Sequence, residues 1–351
     1  MLIDAMYPKS FASDNHAGVH PDILEAMTTA NQGDAPAYGD DTWTAAFAEK
    51  VKEVFGPEAE GFAVLNGAGA NMVGLALTLA RRYDAVICAD SAHIATHEAG
   101  AAERLLGVKL MTVPTEAGKL RPSDIESRLG GLGNPHESQP AVVSISQVTE
   151  LGTCYSPDEM AALAETAHAA GLRLHVDGAR LANAAAHLGC DLKTITADAG
   201  VDVFSFGGTK NGALAAEAVV VLDPSLSGAV PFLRRQSLQL ASKMRFISAQ
   251  LTALLTDDLW HRNARHANQM ATRLADGLAD IPGVTLAHPV QSNAVFATLP
   301  HAVTETLRRR YLFHYWDETA GTVRWMTAFD TTPEHVDDFL DDLRKAAATH
   351  L

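Results

Sequence analysis

Asp202-Val-Phe-Ser-Phe-Gly-Gly-Thr-Lys-Asn-Gly212 carries the reading of the fold. Val201, Val203, Phe204 and Phe206 make a short apolar run that predicts a buried strand, and the pair Gly207-Gly208 ends it. Lys210 follows in a glycine-flanked turn, and a second apolar run extends from Ala213 to Leu222. A lysine held between two buried segments is partly desolvated, which lowers its pKa and leaves a usable amine of the Schiff-base kind. The competing reading is a surface lysine in a strand connection, as most lysines are.

Upstream of this stretch the chain alternates. Phe62–Leu65, Ala85–Ala89, Val108–Val113, Ala141–Ser146 and Leu172–Val176 read as strands. Helices are predicted over Asn71–Arg82, from Ser123, from Ser156 to about Ala170 and over Arg180–Leu188, with a glycine-rich loop at Gly130–Gln139. Strands separated by helices predict an α/β class with a mostly parallel sheet covered on both faces. A long helical stretch is predicted over 231–255. After it a helix at 261–280, short strands at Val284–Ala287, Ala294–Thr298 and Val323–Ala328 and a final helix from Pro333 read as a smaller α+β unit. At 351 residues the chain is long for one core. The expected division is an N-terminal arm with helices over 1–50, a large domain over 51–255 and a small C-terminal domain over 256–351. The polar, glycine-rich arm has little core of its own, so it is expected to lie across another surface.

Composition is ordinary for a globular protein, 47% hydrophobic and 20% charged, and the net charge of −15 disfavours a nucleic-acid or anionic-membrane surface. Cys88, Cys154 and Cys190 are odd in number and lack metal-type spacing, so they read as reduced buried thiols and no metal site is expected. Met1-Leu-Ile-Asp-Ala-Met-Tyr-Pro8 lacks the basic region and apolar core of a secretion leader, and no apolar run reaches membrane-spanning length. A cytoplasmic protein is expected.

Three further constellations join Lys210. Asn66-Gly-Ala-Gly-Ala-Asn71 follows one strand and opens a helix, where backbone N–H groups can approach a phosphate. It has neither the third glycine of a dinucleotide fingerprint nor the Gly-Lys-Ser/Thr of a Walker loop. His93, in Ser91-Ala-His93, falls at the carboxyl end of the next strand, with His97 and Glu98 just beyond. Asp177, in His175-Val-Asp-Gly-Ala-Arg180, ends a third strand, where open α/β sheets bind ligands. A buried carboxylate there needs a cation, either Arg180 in a plain ion pair or the protonated ring nitrogen of a cofactor. A phosphate turn, a histidine, an Asp-x-x-Arg pair and a lysine at one sheet edge are the set that pyridoxal phosphate (PLP) requires.

On these residues the chain resembles the L-threonine aldolases, in their low-specificity bacterial branch. They form part of the aromatic amino-acid β-eliminating lyase and threonine aldolase group of fold-type I (aspartate aminotransferase-like) PLP enzymes. The resemblance runs nearly end to end, through Phe11-Ala-Ser-Asp-Asn-His16, Ala37-Tyr-Gly-Asp-Asp41, Ser91-Ala-His93, His175-Val-Asp-Gly-Ala-Arg180, Phe206-Gly-Gly-Thr-Lys-Asn-Gly212, Ala241-Ser-Lys-Met-Arg-Phe246 and Val323-Arg-Trp-Met326. It implies that Lys210 carries PLP and that Asp177 pairs with the ring nitrogen. Arg180 would approach the phenolic oxygen, His93 would stack on the ring, and Gly67, Ala68 and Gly69 would hold the phosphate. Ser13 and Arg324 would bind the substrate carboxylate. Arg245 and Arg235 would reach a phosphate or carboxylate from a neighbouring subunit, and the Tyr38 loop would line a site at the interface of a homodimer or homotetramer, with the arm at that interface. The implied reaction is retro-aldol cleavage of L-threonine, L-allo-threonine or a related β-hydroxy-α-amino acid to glycine and an aldehyde, with His93 or a water on it moving the proton.

One position departs from the family. Many threonine aldolases carry a Thr-His-Asn motif after the strand at 141–146, whereas this chain has Thr149-Glu150-Leu151-Gly152. Glu150 then stands where a histidine meets the β-hydroxyl, which predicts weak threo/erythro discrimination or a bulkier β-substituent such as phenyl. The alternatives are another fold-type I reaction such as β-elimination or decarboxylation, a nicotinamide-dependent dehydrogenase on the same kind of sheet, and a non-catalytic scaffold.

Overall fold

The structure is a computed structural model that describes residues 9–350; the opening stretch read above for a leader lies outside the described residues. The chain enters through α1 (Pro21–Ala30) and α2 (Thr42–Phe55), the latter capped by the Asp41 carboxylate on the Thr44 N–H. Strand β1 (Glu60–Val64) leads into α3 (Gly67–Thr78), then β2 (Asp84–Ala89), the short α4 (His93–Thr96) and β3 (Lys109–Val113). Next come α5 (Pro122–Glu126), β4 (Gln139–Ser146), α6 (Pro157–Ala169), β5 (Arg173–Gly178) and α7 (Leu181–Leu188). The opening stretch of the sequence reading becomes β6 (Val203–Gly207), a tight turn, and β7 (Glu217–Val221).

These seven strands form one sheet in the order β1-β7-β6-β5-β4-β2-β3. From β6 to β3 all neighbours are parallel; β7 runs antiparallel to both β6 and β1. Every residue of β2, β6 and β7 is buried, because helices cover both faces, and that is why apolar residues dominate their sequences. At the carboxyl edge, β5 and β6 approach so closely that only glycine fits. A Cβ on Gly178 would lie 2.2 Å from the Ser205 carbonyl oxygen, and one on Gly207 2.3 Å from that of Ala179. These two glycines therefore fix how near the Asp177 and Lys210 loops come to each other.

The expected single helix over 231–255 is two helices. After α8 (Pro224–Ser227), α9 (Val230–Gln236) and α10 (Arg245–Leu254) are separated by a turn in which Leu238 adopts a left-handed φ of 60° and is 82% exposed. That turn lets Gln239 bury its carboxamide and accept the Leu65 N–H at 3.1 Å. Leu238 and Leu240 continue the apolar pattern across the break, which conceals it from a periodicity argument.

Beyond α11 (Leu259–Asp276) stands a second, four-stranded antiparallel sheet, ordered β10-β11-β9-β8. Its strands are β8 (Thr285–Leu286), β9 (Ala294–Thr298), β10 (His314–Asp317) and β11 (Thr322–Met326), with α12 (His301–Arg308) and α13 (Pro333–His350) packed beside it. Phe313, Trp325 and Phe339 centre its core.

The N-terminal segment does bury side chains within this chain, contrary to the expectation of an arm with little core. Phe11 is fully buried in the small sheet's core, 4.8 Å from the Phe339 ring. Its N–H donates to the Leu312 carbonyl and its own carbonyl accepts from the Met326 N–H. Phe47, Val51 and Phe55 of α2 belong to the large core. Residues 10–12 thus run alongside the small sheet and deliver Ser13 and Asp14 to the edge of the large one.

Candidate active site

A cavity of about 720 Å³ opens between the carboxyl edge of the large sheet and the β9–β11 face of the small one. Its floor is the first turn of α3. The Asn66 side chain caps that helix by accepting the Gly69 N–H at 2.7 Å. Gly67 and Ala68 hold the first two helical positions, whose N–H groups have no acceptor within a helix, and both line the cavity. Gly69 is different from what the cradle expectation assigns: its N–H is taken by Asn66, and a Cβ there would sit 2.1 Å from the Gln239 side chain. Glycine at 69 serves close packing. Starting the helix at Gly67 instead of Asn71 is what turns this segment's free amides toward the cavity.

Asp177, at the end of β5, is buried. Its carboxylate accepts the Asn71 side-chain N–H at 2.8 Å and the Ala179 N–H at 3.0 Å. Burial opposes its ionisation, but the Lys210 charge and these two donors hold its pKa below the ordinary range. Lys210 stands in the turn after β6 and lines the cavity; burial, then the Arg180 charge, pulls its pKa below that of a free lysine. Of the two readings left open for Asp177, the ion pair with Arg180 is not the one formed. Arg180 forks onto Asp14, with Nε to Oδ2 at 2.7 Å and Nη2 to Oδ1 at 2.8 Å, and Asn293 adds a third donor to that carboxylate. Burial of Asp14 is outweighed by the Arg180 charge and hydrogen bonds, so its pKa lies below the usual value.

His93 opens α4 on the cavity wall. Its Nδ1 lies 2.9 Å from a Glu98 carboxylate oxygen that also accepts from Asn71. That hydrogen bond, against opposing burial, raises the His93 pKa. Glu98 is buried, so Asn71 links two carboxylates, Glu98 and Asp177, through one amide. Glu150 follows β4; its Oε1 accepts the Ser146 hydroxyl at 2.6 Å and the His93 backbone N–H at 2.9 Å. Burial raises its pKa. Ser13 and Arg324 line the side toward the small sheet. Burial and the Arg180 charge push Arg324 down to about 10, which leaves it a cation at neutral pH.

Lys210, His93, Asp177, Gly67, Ala68, Arg180, Ser13, Arg324 and Glu150 therefore share one cavity. Tyr38, Arg235 and Arg245 do not line it. Tyr38 and Arg235 meet at the surface, with the guanidinium 5.0 Å over the ring, and Arg245 donates to the Gly33 carbonyl. The sequence reading missed Asp14, Asn71, Glu217 and Trp316. Asp14 sat inside a quoted motif, and Asn71 was a polar residue within an apolar helix, a signal open to notice. Glu217, a lone charge in the apolar run Ala213–Leu222, carried the same kind of signal, and Trp316 carried none.

The donor set fits PLP. Free helix-terminal amides suit a phosphate, an ionised buried carboxylate suits a protonated ring nitrogen, and a desolvated amine suits an aldehyde. A family model for beta-eliminating lyases matches residues 10–301. The chain is 42% identical over 339 residues to the low specificity L-threonine aldolase of Pseudomonas aeruginosa, a match spanning 96% of this chain and 98% of that protein. With the low specificity L-threonine aldolase of Saccharomyces cerevisiae it shares 27% identity over 293 residues, 83% of this chain and 74% of the other. Leishmania major threonine aldolase superposes with a TM-score of 0.92 at 33% identity, over 97% of this chain and 100% of that structure. Sphingomonas wittichii serine palmitoyltransferase has the same fold at a TM-score of 0.72 and 19% identity, over 97% and 87% of the two chains.

Proposed function

We propose, from the premise that this chain belongs to the beta-eliminating lyase family and to its threonine aldolases, a PLP-dependent aldehyde-lyase that cleaves L-threonine, L-allo-threonine or related β-hydroxy-α-amino acids to glycine and an aldehyde. The fold is that of fold-type I PLP enzymes. The observation that carries the reading is the pairing of an ionised, buried Asp177 with a desolvated Lys210 amine on one cavity wall, opposite Arg324 and Ser13.

Lys210 would hold PLP as an imine, and the group would supply an electrophilic carbon for the substrate amine and an electron-withdrawing ring for Cα–Cβ cleavage. The residues do the rest. The Gly67 and Ala68 amides and the α3 dipole would hold its phosphate, and ionised Asp177 would keep a proton on the ring nitrogen. The Asp14 fork fixes the Arg180 guanidinium and leaves its remaining N–H donors for an oxygen in the cavity. Arg324 and Ser13 take the substrate carboxylate and so orient the Cα–Cβ bond. His93, with Nδ1 tied to Glu98, has Nε2 free to carry the β-hydroxyl proton directly or through water. Glu150 lies beside the same backbone and completes the polar wall at the hydroxyl.

Tyr38, Arg235 and Arg245, outside their own cavity, serve the site of a second copy in a homodimer or tetramer; exposed Phe232 (76%) beside Tyr38 supports such a contact. Unpaired Cys88, Cys154 and Cys190 suit a reducing cytoplasm. The test is product analysis of the purified, PLP-loaded protein with L-threonine. Glycine and acetaldehyde in equal amounts are expected; ammonia with a keto acid, or carbon dioxide, would overturn the aldolase assignment.

A further inference from the structure

The chemistry above leaves one wall of the cavity unused. Trp316 lies in β10 at a bulge: Tyr315 pairs with Val323 and Asp317 with Thr322, so Trp316 is the extra residue between two register pairs. Bulges re-aim side chains, and this one brings Trp316 into the cavity lining. Its ring covers a small apolar cluster of Ala294, Phe296 and Met326, separate from the main core of the small sheet. Ala294 and Met326 line the cavity too.

The rings form a series across the opening. His93 and His97 lie 5.7 Å apart with planes at 25°, and His97 and Trp316 lie 6.2 Å apart at 24°. Phe296 meets Trp316 edge-on at 5.3 Å. The Arg324 guanidinium sits 5.3 Å over the Trp316 ring, which places this wall next to the group assigned to the substrate carboxylate. Burial, then the His93 and Arg324 charges, lowers the His97 pKa, so His97 joins the wall as a neutral ring. Val148 lines the cavity on the β4 side. A methyl group has too little surface to use a partly buried indole and an imidazole; an aryl ring can present a face or edge to both.

We propose that Trp316, with His97, forms a subsite for an aromatic β-substituent and is the residue that favours β-aryl over β-methyl substrates. This rests on the retro-aldol reading and deepens it: the bond cleaved and the glycine released are unchanged, and the aldehyde that leaves is an aromatic one. The test uses the PLP-loaded enzyme and compares kcat/KM for L-phenylserine with that for L-threonine in wild type, Trp316→Ala and Trp316→Phe. The phenylserine-to-threonine ratio is expected to fall about tenfold in Trp316→Ala, chiefly through KM, and to recover most of the way in Trp316→Phe. An unchanged ratio, whatever the absolute losses, overturns the proposal. Should the alanine variant fail to fold or to hold PLP, Trp316→Leu, which keeps apolar bulk without a ring, carries the same prediction. A wild type that cleaves neither compound overturns the retro-aldol reading itself, an outcome distinct from an unchanged ratio.

Discussion

Glu217 is buried at the start of β7 on the cavity wall, and its hydrogen-bond partner is Thr209, whose N–H lies at 3.3 Å. Burial, only partly offset by Thr209 and the Lys210 charge, lifts its pKa to about 7. An unfolded glutamate titrates at about 4.3. Between those values the folded chain holds a proton that the unfolded chain has lost, so this group's contribution to stability falls as pH rises through that window and is flat above it. The size is on the order of 3 kcal/mol. Glu217→Gln keeps the shape and removes the titration. Thermal melts should show the variant gaining on wild type by more at pH 8 than at pH 5; an equal difference at both pH values contradicts the assignment. Residues of this kind were the least legible in the sequence. Asp177 and Lys210 announced themselves by ending apolar strands, whereas Glu217 begins one, and Asp14 finds its partners in Arg180, 166 positions away, and Asn293, 279 away. The family histidine motif drew attention to position 150, yet nothing in the sequence placed Glu150 against the His93 backbone.

At the scale of elements, the first turn of α3 is where sequence and structure diverge most usefully. Gly67-Ala-Gly reads as a turn because glycine disfavours helix, so the helix seemed to start at Asn71. The Asn66 cap offsets that cost and makes the glycines helical. Asn66→Ala should cost about 1 kcal/mol of stability. It should also weaken PLP binding, read as a raised Kd when PLP is titrated into the cofactor-free protein. An unchanged Kd would show that the α3 terminus is not the phosphate cradle. The parallel strands were legible because burial on both faces gives continuous apolar runs. Strand β10, His314-Tyr-Trp-Asp317, was not, since its bulge breaks the period of two and all four of its residues face solvent or the cavity. The α9–α10 break was hidden for a related reason: a single left-handed residue leaves no trace in hydropathy.

Across the whole molecule, the cavity is assembled from both sheets and from the N-terminal segment. Phe11 anchors that segment in the small core, and two residues later Ser13 and Asp14 stand at the large sheet's edge. Sequence could place each part but not this connection, because it depends on a backbone pairing between residues more than three hundred positions apart, such as Phe11 with Met326. The central claim remains the identity of one lysine. Borohydride reduction of the PLP-loaded protein, followed by proteolysis and mass mapping, tests it directly. The pyridoxyl mass is predicted on the peptide containing Lys210; its appearance on any other lysine, or on none, would contradict the account.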